Sequence, residues 1–313
     1  MSGAWKDNDT RELALTRLRE SLQAGQLSRF NTPFFVILQG CPPRDAPGLL
    51  GIPVGFTFLV DWIFTALPRD YGPQWAMALC ENIQLQADLT RVFRGVMLEM
   101  LRYVCGKQSS SEGSERDVIL LKRAMVIVEL SIDRHVFSSE EAVQAILALR
   151  SQDPIVDIVR SAVNAVCSRL PEIIQLPADT REAMRQVNRL IDADTGAQRA
   201  SEQDAGVFAS NALAAAADFV AQHGRRLAST NTSEGPGDRA NDRIGEADRA
   251  QFIRWLADVC IRLVGEALLV KPQIRVIRRP TARAPGVQPQ IRTTRLNPVS
   301  KALRSIIHWL AAH

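Results

Sequence analysis

Nine cationic side chains and no carboxylate lie between residues 271 and 313. They are Lys271, Arg275, Arg278, Arg279, Arg283, Arg292, Arg295, Lys301 and Arg304. Such a stretch can bind phosphate. The guanidinium fork matches phosphate oxygens bidentately, and each phosphate neutralised on a nucleic acid releases condensed counterions. No aromatic residue interleaves with these cations before Trp309, so base stacking has no platform. The predicted nucleic-acid contact is therefore phosphate-mediated and nonspecific for sequence.

The remaining 270 residues hold 29 basic and 34 acidic side chains, a net −5. The formal +4 of the whole chain thus conceals an acidic body and a +9 arm. Opposite charges on two parts of one chain also suit docking of the arm on a neighbouring subunit. The same complementarity is available to an arm folded back on its own body.

The arm has internal structure in its sequence. Pro272-Gln273-Ile274-Arg275-Val276-Ile277-Arg278 recurs as Pro289-Gln290-Ile291-Arg292-Thr293-Thr294-Arg295. Proline and β-branched residues predict an extended strip for both copies. Asn297-Pro298 then starts a last helix, on which Val299, Leu303, Ile306, Ile307 and Leu310 form an apolar stripe. A stripe of this kind is an anchor for a groove, and it predicts a homo-oligomer.

Other chemistries lack their residues. The four histidines, His135, His223, His308 and His313, stand apart from one another and from cysteine, so no metal-ligand spacing occurs. His135 is expected at a helix end, where a cation is favourable. Cys41, Cys80, Cys105, Cys167 and Cys260 include no CxxC pair. Four of them fall on apolar helical faces, as small core residues do. The glycines from Gly48 to Gly55 are not followed by the Lys-Ser/Thr of a phosphate loop, and Pro53 interrupts them. No serine sits in a GxSxG elbow. The sequence therefore predicts no cofactor, no metal and a non-enzymatic role. The polar N-terminus carries no apolar leader, which together with scattered cysteines predicts an intracellular protein, cytoplasmic or within an assembled particle.

One carboxylate stands out. Asp61 lies inside the very apolar segment from Pro53 to Leu67. It is expected on the solvent side of a helix or paired with an arginine, with a polar anchor at an interface as the alternative. The charge and the short length argue against a membrane span, though a membrane-active helical protein is a further reading of this segment.

Scarce aromatics and abundant Ala, Leu, Arg and Glu favour helices as the elements that carry these residues. The predicted fold is all-α: a body of about ten helices, then the extended basic arm and its short amphipathic helix. The helices are expected over Asp9–Ala24, Pro53–Leu67, Gln74–Cys105, Arg116–Asp133, Ser138–Arg150, Pro154 to before Pro171, Asp179–Asp192, Ser201–Gly224 and Glu246–Val270. Phe34 to Leu38 is a strand or one buried turn. Gly40–Gly51, Lys107–Glu115 and Ala228–Gly245 read as loops. The regions are residues 1–106, 117–270 and 271–313. These features predict a structural, nucleocapsid-like protein that self-associates and uses its arm on RNA or on a neighbouring subunit.

Overall fold

The computed structural model describes residues 3–109, 114–132, 146, 153–167, 196–230, 238–267 and 269. Ten α-helices lie among them, with one isolated β-bridge and no strand. The all-α prediction holds. Of the helix predicted over Ser138–Arg150 only Ile146 is described, helical and buried; the helix predicted over Asp179–Asp192 and the arm lie outside the described residues.

Helix α1 spans Asn8–Gln23. The aspartate that caps it is Asp7, two residues before the expected start at Asp9: its Oδ1 accepts from the Thr10 backbone N–H at 2.7 Å. The helix ends in a Schellman motif. Gly25 takes φ +63°, its N–H donates to Leu22, and Gln26 donates to Ser21. Ala14, Leu15 and Leu18 form the buried face.

The Phe34–Leu38 ambiguity resolves to a helical turn, α2, over Pro33–Ile37. The expected Gly40–Gly51 loop contains a 3₁₀ turn at Pro43–Asp45 and a short helix, α3, at Ala46–Leu50. Gly51 stops α3 at φ +75°. Its backbone also meets the chain near Gly3, where a Cβ would lie 2.6 Å from the Gly3 carbonyl oxygen. Helix α4, Val54–Ala66, buries Phe56, Leu59, Val60 and Ile63 completely. Its apolar surface on nearly every side places it in the middle of the bundle, in contact with α2, α5 and α6 and two later helices.

The long helix predicted over Gln74–Cys105 is two helices. Helix α5 spans Gly72–Asn82 and α6 spans Leu89–Ser109. The break has a tertiary cause. Ala4 N–H donates to Ala87 at 2.9 Å, Gln86 N–H donates to Ala4 at 2.7 Å, and Gln86 takes φ +64°. The backbone here bonds the N-terminal segment instead of continuing a helix. Asp88 then caps α6 by accepting from Arg91 N–H at 3.2 Å. Gly106 does not end α6, which runs on for three residues.

Helix α7, Glu115–Ile132, runs antiparallel to α6. Gln108 donates to Asp117 at one end of the pair, and Arg94 donates to the Ser131 carbonyl at the other, 2.6 Å away. Helix α8 spans Pro154–Cys167, and its predicted start is observed: Asp153 Oδ1 accepts from Ile155 N–H at 2.8 Å. Helix α9, Gly196–Thr230, is longer than the predicted Ser201–Gly224. Helix α10 covers Asp238–Gly265, so its first turns replace part of the expected Ala228–Gly245 loop. A single apolar core includes residues from every one of α1 to α10.

Glycines misread as loop punctuation explain the longer helices. A Cβ on Gly245 would lie 2.7 Å from the Ala221 carbonyl oxygen, and one on Gly224 would strike Asp248. These two glycines let α9 and α10 cross closely. Gly206 on α9 likewise sits against Phe58 of α4, whose Cγ would be 2.6 Å from an added Cβ. Gly206→Ala is expected to destabilise the fold by about 1–3 kcal/mol through overpacking. Gly106→Ala, in open space on α6, is expected to stabilise it by about 0.5–1 kcal/mol. Urea midpoints of the two variants should move in opposite directions; an unchanged or raised midpoint for Gly206→Ala would show that the α4–α9 contact is not tight.

Candidate functional site

The cations Lys271, Arg275, Arg278, Arg279, Arg283, Arg292, Arg295, Lys301 and Arg304 lie outside the described residues, as do the anchor residues Val299, Leu303, Ile306, Ile307 and Leu310. The structure does describe the point from which the arm departs. After α10 ends at Gly265, Ala267 N–H donates to Val264 at 3.2 Å. Leu269 then forms an antiparallel bridge with Ala87, in the break between α5 and α6. The root of the arm is thereby tied to the same short segment that holds Ala4.

Beside this root lies a groove of about 440 Å³ between α6, α7 and the end of α10. Its apolar lining comes from Val92, Leu98, Ile132 and Leu263. Gly95 makes room for Leu263, whose Cδ1 would be 3.1 Å from a Cβ there. Charged residues line the rest: Glu99, Glu129 and Glu266 against Arg91 and Arg102. Arg102 bridges Glu99 at 2.9 Å and Glu129 at 3.4 Å. These pairs are open to water, so each holds its partner by a fraction of a kcal/mol, roughly 0.2–1. Sequence reasoning missed this groove. Only the Glu99–Arg102 spacing carries a local signal; Glu129, Leu263 and Glu266 arrive from distant helices.

Comparison with protein-family models, with curated proteins and with solved structures gives no match. The chemistry must be read from the residues themselves. Among the described residues, no three His, Cys, Asp or Glu side chains gather as metal ligands would. Cys80, Cys105, Cys167 and Cys260 are buried, and Cys41 is partly exposed. Burial pushes the thiols of Cys80, Cys167 and Cys260 up to about 12, which keeps them protonated and inert as nucleophiles. His223 is buried on α9 and stacks on Phe219 with centroids 6.0 Å apart. Burial, with Lys107 nearby, lowers its pKa below the ordinary imidazole value, so it is neutral near pH 7. No described helix is long and apolar enough to cross a membrane.

Asp61 does not face open solvent, and among the described residues it pairs with no arginine. It is partly buried as a residue, with its carboxyl group enclosed, and it accepts a hydrogen bond from the Phe34 backbone N–H at 3.3 Å and another from the Thr32 side chain. Thr32 is the N-cap position of α2 and its side chain makes no cap bond of its own. Asp61 of α4 supplies that cap from across the core. This satisfies a first-turn N–H of α2 and fixes the turn against α4.

Burial raises the Asp61 carboxyl from 3.8 to about 7, against the opposing effect of its two hydrogen bonds. Between these values the folded chain holds a proton that the unfolded chain has released. Stability from this group therefore falls as pH rises from about 4 to 7 and is level above. Asp61→Asn keeps an acceptor for Phe34 and removes the titration. Relative to the native chain, the variant is expected to gain on the order of 1–3 kcal/mol on going from pH 4.5 to pH 8. Urea unfolding at both values tests this, and an unchanged difference between the two proteins would contradict it.

Proposed function

We propose that this protein is a non-enzymatic assembly protein of nucleocapsid type. It self-associates, and its basic C-terminal arm either grips nucleic-acid phosphates without reading sequence or docks on a neighbouring subunit. One observation carries the reading: residues 271–313 contain nine cationic residues and no acidic one, while the other 270 residues have a net −5. A field so divided steers phosphate polymers to the arm and holds like bodies apart until the arm joins them.

The terminal stripe of Val299, Leu303, Ile306, Ile307 and Leu310 supports the self-association half of the reading. The arm's root, held at Ala87 by the Leu269 bridge, gives residues 271–313 a defined point of departure. The deciding experiment is RNA binding over a salt series, with and without residues 271–313, alongside the oligomeric state at low and high salt. If removing the arm changes neither binding nor assembly, both halves of the reading fail.

A further inference from the structure

We propose that His223 is an acid-sensitive latch in the body of the protein. Its neutral imidazole lets the last turns of α9 close on α6 and α10, and a proton on the ring releases them. The latch goes beyond the assembly reading, which neither requires it nor falls with it.

The geometry is that of a closed joint. His223 is 8% exposed and lies one turn after Phe219, with 27° between the two ring planes. Its neighbour Gly224 meets α10 so closely that a Cβ there would strike the Asp248 carboxylate. One turn further along α10, Phe252 is fully buried, and Tyr103 of α6 packs on it at 5.0 Å and on Trp255 at 4.6 Å. Lys107, one turn after Tyr103, holds its ammonium 5.8 Å from the centre of the Tyr103 ring. Three helices thus meet where an imidazole, an ammonium and a carboxylate border an aromatic cluster.

The joint is built against a further positive charge. Among the described residues, Lys107 from α6, Arg226 from α9 and Asp248 from α10 face the imidazole. Two cations outnumber one carboxylate, and burial strips the ring of water. The other ties between α9 and α10 at this end include Arg225–Asp242 at 3.1 Å and Arg249–Asp218 at 3.6 Å. Both are open to water and hold too weakly to offset a buried charge. Burial first, then Lys107, keep the ring's pKa below its ordinary 6.5. As pH falls through 6.5 the open form takes up a proton before the closed form does. Closure therefore weakens from there downward, until the closed form is itself protonated. The sign is opposite to that of Asp61, whose contribution grows over the same fall in pH. Global unfolding mixes the two effects, and a local measurement separates them.

Amide hydrogen exchange of the full-length chain at about pH 7.5 and about pH 5.5, corrected for the intrinsic rate at each, reads the latch segment by segment. Residues 219–227 and 245–256 are expected to lose protection at the lower pH, while α4 keeps its own. In His223→Gln that acid loss should disappear. Lys107→Met keeps the side chain over Tyr103 and removes a cation, so it should shrink the loss. Asp248→Asn removes the carboxylate that favours the imidazolium, so it should enlarge the loss. Each effect is a ratio between two pH values in one protein, so a uniform change of stability in a variant cancels. Equal protection of these segments at both pH values in the native chain would overturn the proposal, as would an acid loss that survives His223→Gln. Lys107→Met and Asp248→Asn decide the matter even if the glutamine variant does not fold. A shift in the same direction for both, or in neither, would also dismiss the latch.

Discussion

In titrations on single-stranded RNA, the full-length chain is expected to lose affinity by several thousandfold between roughly 50 and 200 mM salt. The number follows from the charge of the arm. Each phosphate neutralised on a single strand adds about 0.7 to the slope of log affinity against log salt. Nine engaged cations give a slope near −6 on that basis, which over a fourfold change in salt is a factor of about 10³ to 10⁴. Protein ending at residue 270 keeps a body of net −5 and is expected to bind RNA at least a hundredfold more weakly at the lower salt. Arg275→Gln, Arg278→Gln and Arg279→Gln together should reduce the slope by about 2 and weaken binding alike on every sequence. A shallow slope for the full-length chain, or an unchanged slope after truncation, would exclude the arm as the phosphate-binding element. The same data on duplexes of different sequence should coincide, because no aromatic or base-reading pattern accompanies the arginines.

Trp5→Ala is expected to destabilise the body by about 3–5 kcal/mol, a large share of the roughly 5–15 kcal/mol that holds a domain folded. Trp5 is fully buried, takes φ +54°, and donates its indole N–H to the Ile83 carbonyl at 3.1 Å. Removing the ring leaves a cavity beneath the break between α5 and α6. The Ile83 carbonyl keeps a second donor, Arg11 Nε at 3.3 Å, so the lost hydrogen bond is the smaller part of the effect and the lost packing the larger. Trp5→Phe preserves most of the volume and should cost only about 1–2 kcal/mol. Chemical unfolding of the three proteins measures this ordering. A change below 1 kcal/mol in the alanine variant would mean that the N-terminal segment is not part of the cooperative core. The arm's root shares this segment: Ala87 bonds both Ala4 and Leu269. Trp5→Ala is therefore the variant whose effect on the arm is worth following in the same preparation.

Several features were legible without any structure because their causes are local. Asp153-Pro154 starts α8 because a carboxylate and a proline suit the first turn of any helix. Gly25 ends α1 because the αL conformation needs no side chain. The apolar run of α4 announced a core helix, and α10 was visible from Phe252, Leu256, Val259 and Val264 at helical spacing. The charge of the arm is a matter of counting, which is why the candidate phosphate-binding residues could be named directly.

The features that sequence reasoning misplaced depend on partners far away in the chain. Nothing around Gln86 demands a break; Ala4 imposes one by accepting from the Gln86 N–H and donating to the Ala87 carbonyl. Gly224 and Gly245 read as punctuation, yet, like Gly206 inside its predicted helix, they serve as small surfaces on which long helices cross, because a helix tolerates a glycine when packing across it recovers the loss. Asp61 seemed to need water or an arginine, and found instead the first turn of α2. The polar N-terminus concealed Trp5, whose burial depends on a carbonyl 78 positions along the chain. Residue type and short-range spacing were enough to predict a helical body and to divide the charge between body and arm. Where the helices break, what the buried carboxylate holds, and the groove of mixed charge between α6, α7 and the end of α10 each came from the fold, because each requires residues from distant parts of the chain to meet.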